Sequence, residues 1–472
     1  MVAPRRRIAS APRLVAPNAF GFSPRQIVLP GLIVSMLALG GGSAQAPLQL
    51  AIAELIGLGL LICPALKAPW RTLYRQDRLF GWLVIALIAL FIAQLVPLPA
   101  LLWKGWPARA LFVQGDILMA GHALQRPLAL EPDQTVAAAI FLIPAAAIWL
   151  RVRQSDHFAD QWIIAWLVFL AGSLMVALAQ VSAPPGDWHL YANSHANLPT
   201  GLFANRNHQA IAMASAIPLA AGLNRKWLGR ATRQPQILPP GWLFAVVSVG
   251  GAVGALLTGS RTGIALLGPA MLAGLAIYFK GRVAPRQTRL IVLATVLGLL
   301  ALAVAGVVMA TASPGGALGL VLSRSYTADD DRYRFWPGIV QMIFKYAPWG
   351  TGFGSFRRIY EVNEPADLLS PLYLNHAHND WLEFSLEAGL TGVVLAAGFV
   401  VWLMARWVPA WRAIAADPLR QAAGTVIALV LAHSCFDYPF RTVAMSACCA
   451  ACAALLSRAG IHQPGGRGVA DV

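Results

Sequence analysis

Apolar runs of about twenty residues alternate with short polar gaps along the whole chain; LFGWLVIALIALFIAQLVPL, from Leu79 to Leu98, is typical. Wound as a helix rising about 1.5 Å per residue, such a run crosses roughly 30 Å of hydrocarbon. The pattern predicts spans near 26–44, 47–66, 79–102, 134–150, 161–181 and 207–223 in the first half. It predicts others near 241–258, 262–279, 289–312, 380–404, 420–436 and 441–457. The expected fold is all-α, a polytopic membrane protein of about twelve transmembrane helices.

Most gaps are too short to hold a domain. The exception runs from Ser313 to about Asn379. Within its DDDRYRFWPGIVQMIFKYAPW, residues Trp336, Ile339, Val340, Ile343 and Phe344 fall on one helical face. That predicts an amphipathic helix lying on the membrane surface or capping the bundle. PWGTGFGSF then ends it, and its glycines Gly350, Gly352 and Gly354 suit a tight turn with close backbone approach. The expected organisation is a tail (1–25), an N-terminal membrane region (26–200), a second group of spans (201–312), the amphipathic loop (313–379), the last spans (380–457) and a tail (458–472). No internal repeat is evident.

Composition sharpens this reading. Apolar residues make up 58% and charged residues 12%, with a mean hydropathy of +0.62; a soluble chain of this length needs a far more charged surface. Sixteen Trp suit interfacial belts. The net charge of +16 could suggest nucleic acid, but Lys and Arg sit mainly in the gaps between apolar runs, as orientation signals do. No nucleic-acid partner is expected. With the N-terminus inside, the segments placed in the cytoplasm carry 24 of the 36 Lys and Arg. The stretch from Ser182 to Asn205 then lies outside and has none. Both termini are expected in the cytoplasm, the basic N-terminus being a tail rather than a cleaved signal. The five Cys (Cys63, Cys435, Cys448, Cys449 and Cys452) lie in or beside apolar segments and read as small buried hydrophobes without a disulfide framework.

Outward-facing polar residues concentrate in GLFANRNHQA (201–210), GSRTG (259–263), DRYRFW (331–336) and NHAHNDWLEFSLEAGLTG (375–392). A fifth stretch, HSCFDYPFRT (433–442), interrupts the last helical hairpin. Ionisable groups at span ends are costly unless paired or facing water, which makes each stretch a functional candidate. Arg261 reads either as a snorkelling anchor or as an anion ligand beside the N–H groups of Ser260, Thr262 and Gly263. Arg332 and Arg334 could neutralise Asp329, Asp330 and Asp331. Arg332 also shares a helix face with Trp336, from which a guanidinium can reach an anion. His376 and His378, with Asp380, could be metal ligands, but a His near a helix head is better suited to general-base work, with Asn379 or Asp380 as a cap. His433, Asp437 and Arg441, spaced four apart around Pro439, read first as a salt-bridge network within their own hairpin. GSRTG lacks the Gly–x–Ser–Gly context of an intramembrane serine protease. A transporter would call for inverted repeats and mid-span ionisable groups.

Together these stretches, from about Gly201 to Arg441, resemble the O-antigen ligase and O-antigen polymerase family of bacterial envelope glycosyltransferases. The ligase pattern of His, Asn, nine residues, Gly, two residues and a small or polar residue is met by His378, Asn379, Gly389 and Gly392. The resemblance implies a GT-C-like fold in the bacterial inner membrane. It also implies transfer of a glycan from undecaprenyl diphosphate on the periplasmic face, without nucleotide sugar, metal or cofactor. The acceptor would be lipid A–core for a ligase, or a second lipid-linked glycan for a polymerase. The family's outer-face Arg and His map to Arg261, Arg332 and His378, with Arg334 as the alternative helix Arg. Asn205, Asn207, His376, Asn379, Trp336, Gly352 and Gly354 are expected around the substrate. The spans before about residue 190 carry no motif of the family.

Overall fold

A computed structural model describes residues 24–42, 46–62, 77–184, 186–192, 194, 198–230, 241–280, 332–369, 373–413 and 417–458. The described chain is almost entirely helical. Its helices are α1 (Pro24–Leu39), α2 (Pro47–Ile62), α3 (Arg78–Leu95), the short α4 (Ala100–Trp103), α5 (Ala110–Ala120), α6 (Pro132–Phe141), α7 (Ile143–Gln154) and α8 (Asp156–Ser182). There follow α9 (Arg206–Arg230), α10 (Trp242–Leu257), α11 (Arg261–Phe279), α12 (Arg332–Tyr346), α13 (Phe356–Asn363), α14 (Asp380–Arg412), α15 (Pro418–His433) and α16 (Val443–Ser457). Two strands of two residues each, β1 (Pro97–Leu98) and β2 (Arg126–Pro127), pair antiparallel.

Among the described residues α3, the α6–α7 pair, α8, α11 and α14 are long and apolar enough to cross a membrane, and α1, α2, α10 and α16 contribute shorter apolar helices. The expected span 289–312 and the loop up to residue 331 lie outside the described residues. Where observed boundaries differ from the hydropathy pattern, the reason is local. The run expected to reach residue 102 stops at Leu95, because Pro97 and Pro99 cannot continue the helical ladder. Side-chain caps set the starts: Asp77 for α3, Ser155 for α8, Ser260 for α11, Asn379 for α14 and Thr442 for α16 each accept a first-turn N–H.

The centre of the bundle is α9, whose residues from His208 to Asn224 are all buried. It packs against α10, α11 and α15. Its many alanines let backbones approach closely, as membrane helix interfaces favour; a Cβ on Gly222 would come within 2.9 Å of the Pro418 carbonyl. α16 packs against α7 and α15, and α12 lies across α14. α12 begins at Arg332 as expected, but its buried face differs in part from the one read from the sequence. Ile339 and Met342 are buried with Trp336 and Ile343 against them, whereas Val340 and Phe344 are exposed. Three cysteines of α16 are buried, but Cys435 sits exposed in a turn, contrary to its reading as a buried hydrophobe.

Candidate functional site

The starts of α9, α11, α12, α14 and α16 and the end of α15 meet at one end of the bundle, and the polar stretches lie there. Asn205 precedes α9 and turns its own Oδ1 onto the Asn207 N–H at 2.8 Å. The first turn of α9 thereby presents Asn207 and His208. Asn379 caps α14, accepting from the N–H groups of Trp381 and Leu382 at 3.0 and 3.1 Å. His378, just before that cap, has a left-handed backbone with φ 49°. That conformation is uncommon for a residue with a side chain and is characteristic of sites where geometry is imposed.

Asp437, in the turn between α15 and α16, is the hub. It is buried and accepts from Asn207 Nδ2, from Asn205 Nδ2 at 3.3 Å and from its neighbour's N–H at 2.9 Å. Its Oδ1 also lies 3.5 Å from His378 Nδ1 and 3.6 Å from His208 Nε2. Burial alone would raise this carboxyl, but the imidazoles of His208 and His378 facing it outweigh that and hold Asp437 well below the usual carboxylate range. Tyr438 fills the space among three imidazoles, with ring centroids 4.9 Å from His208, 4.9 Å from His378 and 4.3 Å from His376.

Arg441 lies behind this hub and does not pair with Asp437. The expected network within the 433–441 hairpin is not what forms, because the break at Pro439 takes its members to different partners. Arg441 instead faces Glu387 at 2.8 Å, Glu383 at 3.4 Å and Asp380 at 3.9 Å. These acids are spaced i, i+3 and i+7 on α14 and so share one face. His433 is fully buried in the last turn of α15. Glu383 also holds the preceding segment, with His376 Nδ1 2.9 Å from Oε1 and the Ala377 N–H donating to Oε2 at 2.8 Å. Asp380 ties α14 to the Asp437 turn. Its N–H donates to the carbonyls of Ser434 and Asp437, and its Oδ2 accepts from Ser434 Oγ at 2.8 Å and from the Phe440 N–H at 3.3 Å. Asn379 Nδ2 adds a bond to the Cys435 carbonyl at 2.9 Å. The His378 segment and the Asp437 turn are thus laced together on both sides.

The glycine-rich turn completes the frame. α14 breaks at Gly389 (φ 61°, ψ −155°), which strips the carbonyls of Leu386 and Glu387 of helical partners. The turn supplies them: Thr351 N–H donates to Leu386 and Gly352 N–H to Glu387, both at 3.0 Å, while Leu390 N–H donates to Pro348 at 2.8 Å. A Cβ on Gly350 would lie 2.5 Å from Gly389 N. Gly352 and Gly354 were expected near substrate, but the close approach they permit is to the protein itself, at Ala129 and at the Gln134 carbonyl. Gln94 of α3 closes the frame, its Nε2 donating to Glu387 O at 2.9 Å and its Oε1 accepting from the Phe353 N–H at 3.1 Å.

The outer arginines are positioned around this centre. Arg332 Nη1 donates to the Phe436 carbonyl in the Asp437 turn, and Trp336 Nε1 donates to Ala377 O at 2.9 Å, so α12 is pinned above His378. Arg334, two residues on, is exposed. Arg261 is the exposed first residue of α11; the turn before it receives Arg206 Nη1 at the Gly259 carbonyl, 3.1 Å, and Gly263 packs on Ala210 of α9. Each predicted site residue therefore lies at this end of the bundle, with Gly352 and Gly354 packed against the protein itself. Reasoning from sequence passed over Arg206, His208, Glu383, Glu387 and Gln94, and read Asp380 only as a possible metal ligand or cap. His208 stood in a quoted stretch, and Glu383 and Glu387 were carboxylates inside an apolar span, which is a signal in itself. Among the described residues no three His, Cys, Asp or Glu side chains converge as metal ligands would.

Beneath this end, an apolar cavity of about 400 Å³ runs between α3, α7, α14 and α16. Phe80, Phe91, Phe353, Phe384 and Phe399 line it, and Asp380, Ser434 and Arg441 form its polar end.

Residues 245–397 match the O-antigen ligase family (Wzy_C), about a third of the chain. The matched segment holds the Arg261 turn, α12, the glycine turn and His378. Asn205, Asn207, His208, Asp437 and Arg441 fall outside it and are brought to it by the fold. No curated protein matches the chain.

Proposed function

We propose that this multi-pass membrane chain, which carries an O-antigen ligase family domain, is a ligase that moves a glycan from undecaprenyl diphosphate to a hydroxyl of lipid A–core on the periplasmic face of the bacterial inner membrane. The family gives the coarser statement, an enzyme of O-antigen assembly acting on lipid-linked glycans in a membrane. The observation that supports the transfer chemistry is the approach of His378 Nδ1 to within 3.5 Å of the buried Asp437; the choice of lipid A–core as acceptor follows the ligase description of the matched family.

With Nδ1 directed at Asp437, the His378 ring offers Nε2 to an acceptor hydroxyl. The hydroxyl proton passes to Nε2 as its oxygen attacks the anomeric carbon, and the bond from that carbon to the diphosphate oxygen breaks. Undecaprenyl diphosphate leaves. Asp437 stabilises the imidazolium formed in this step, a role in which a fixed carboxylate is effective. Arg261 and Arg332 would meet the charge developing on the diphosphate, with Arg334 within the same turn, because a guanidinium grips phosphate at two points. Arg441 is not available for this task, since three carboxylates already face it. Asn205, Asn207 and Tyr438 hold the Asp437 side of the pair. The apolar cavity beside the site has the chemistry to take a hydrocarbon chain of the donor or of the bilayer.

A ligase and a polymerase would share this machinery and differ in the acceptor. Deleting the gene and resolving envelope extracts on a gel separates them. Loss of long chains from lipid A–core, with long chains retained on carrier lipid, is the ligase result. Products with a single repeat would replace this reading by a polymerase.

A further inference from the structure

The segment between α3 and α6 leaves the bundle and returns to the same point. Residues Pro97 and Leu98 pair with Pro127 and Arg126, so everything from Pro99 to Gln125 is one excursion closed at its base. The excursion contains α4, a 3-10 turn (Pro107–Arg109) and α5, and α5 packs on that turn rather than on the bundle. At 11 residues, α5 is about 16 Å long and cannot cross roughly 30 Å of hydrocarbon.

Its surface is nonetheless that of a membrane helix. Met119 is 89% exposed and Leu118 86%; Leu111, seven residues before Leu118, shares its face, and Ile117 is exposed beside it. The acid of α5, Asp116, is buried at 1% exposure and neutralised within the excursion, taking Arg126 Nε at 3.0 Å and the Leu124 N–H at 2.9 Å. Arg109 is likewise turned inward, donating to the carbonyls of Pro127 and Leu128. Apart from Gln114 the exposed residues of α5 are apolar, which suits a core or lipid, and among the described residues no core cluster includes α5. What covers it follows from continuity. In chain order the exposed apolar residues of α3 (Trp82, Ile85, Ile88, Ile92) are followed directly by exposed Val96, Leu101, Leu102, Leu111 and Leu118. The α3 stripe belongs to a helix apolar and long enough to span the bilayer, so its partner is hydrocarbon.

We infer that residues 99–125 form a re-entrant wedge whose helix α5 is embedded in the acyl chains of the leaflet nearest the His378 end of the bundle. Trp106 stacks on Trp349 with centroids 5.4 Å apart, and the 3-10 turn touches α12. The wedge thereby ties the glycine turn and the helix above His378 to a fixed depth in the membrane. Lys104, Gln114, His122 and Gln125 are exposed polar residues of the excursion, and of these only Gln114 lies within α5.

The test places a nitroxide at Met119→Cys, or separately at Lys104→Cys, in the full-length chain with Cys63 and Cys435 replaced by Ser, reconstituted in phosphatidylethanolamine–phosphatidylglycerol vesicles. Both positions are exposed, so labelling does not disturb packing. Power saturation should show collision with oxygen exceeding collision with an aqueous nickel chelate by about tenfold or more at 119, and the reverse order at 104. Nickel access dominating at 119 would mean a solvent-exposed arm and overturn the inference. Low access to both reagents, with spin–spin broadening between labels, would mean that a second copy covers α5 and would overturn it equally. A second measurement compares insertion and lipid association of Leu118→Asp with wild type; an unchanged nitroxide depth profile in that variant would contradict lipid burial. None of these readouts involves glycan transfer, so they stand or fall apart from the reading of the site.

Discussion

Replacing Gln94 by Leu removes two hydrogen bonds with little change of shape, and the structure sets the scale of the effect. Gln94 is 1% exposed and bridges Glu387 O and the Phe353 N–H across the break in α14. Glu387 O keeps a partner in Gly352 N–H, whereas the Phe353 N–H loses its acceptor. A buried bond contributes about 1 kcal/mol, and an orphaned buried N–H costs roughly 1–3 kcal/mol. The variant should therefore be less stable by about 2–3 kcal/mol, a shift of roughly 30- to 150-fold in the folded-to-unfolded ratio. Detergent-induced unfolding of purified protein, followed by Trp fluorescence, measures this directly. Transfer should fall as well, since the turn that Gln94 holds frames Glu383 and Glu387 behind His376 and Arg441. A variant that unfolds at the wild-type midpoint and transfers normally would refute the account of the α14 break.

Three further outcomes follow from the same geometry. Arg261→Ala or Arg332→Ala should reduce transfer at least a hundredfold in inserted, folded protein, and Lys should restore little of it; wild-type product from Arg261→Ala would make that residue an anchor. Arg441→Met leaves three buried carboxylates without their cation and should destabilise by about 3–5 kcal/mol, seen as loss of monodisperse protein in detergent, while an unaltered yield and midpoint would contradict the pairing. Asp437 has its folded pKa depressed, so its contribution to stability is full above the ordinary carboxylate range near 4 and is lost as pH falls through the lowered value. Asp437→Asn should accordingly lower stability at pH 7 and flatten its decline as pH falls below about 4, and parallel acid-unfolding curves for the two proteins would sink the assignment.

The spans were legible because twenty-residue apolar runs have few alternative fates, and caps such as Asn379 could be read from type and position. What was hidden lies between distant elements. His208 and Asp437 are 229 positions apart, and periodicity cannot bring them together. Arg441 invited pairing with Asp437 at i+4, a spacing that holds on an unbroken helix, but Pro439 interrupts the turn and sends Arg441 to α14. The break at Gly389 was equally hidden, since a glycine in an apolar span is often a packing choice; only the turn lodged against it shows that φ is positive there. Gln94 could have been singled out as the one amide in the Leu79–Leu98 run. The buried face of α12 was partly misread because Val340 and Phe344 extend the apolar arc beyond the part that α14 covers.

Glycan transfer by the purified protein in detergent, with EDTA present throughout and with His378 and His376 replaced in turn, tests the central claim most directly. The account predicts that wild type transfers in EDTA, that His378→Ala loses transfer while still binding the lipid-linked donor, and that His376→Ala, one step removed at Glu383, is affected less. Transfer by His378→Ala at the wild-type rate would contradict the proposed base, and activity that EDTA abolishes and divalent metal restores would replace it with a metal site built on both histidines.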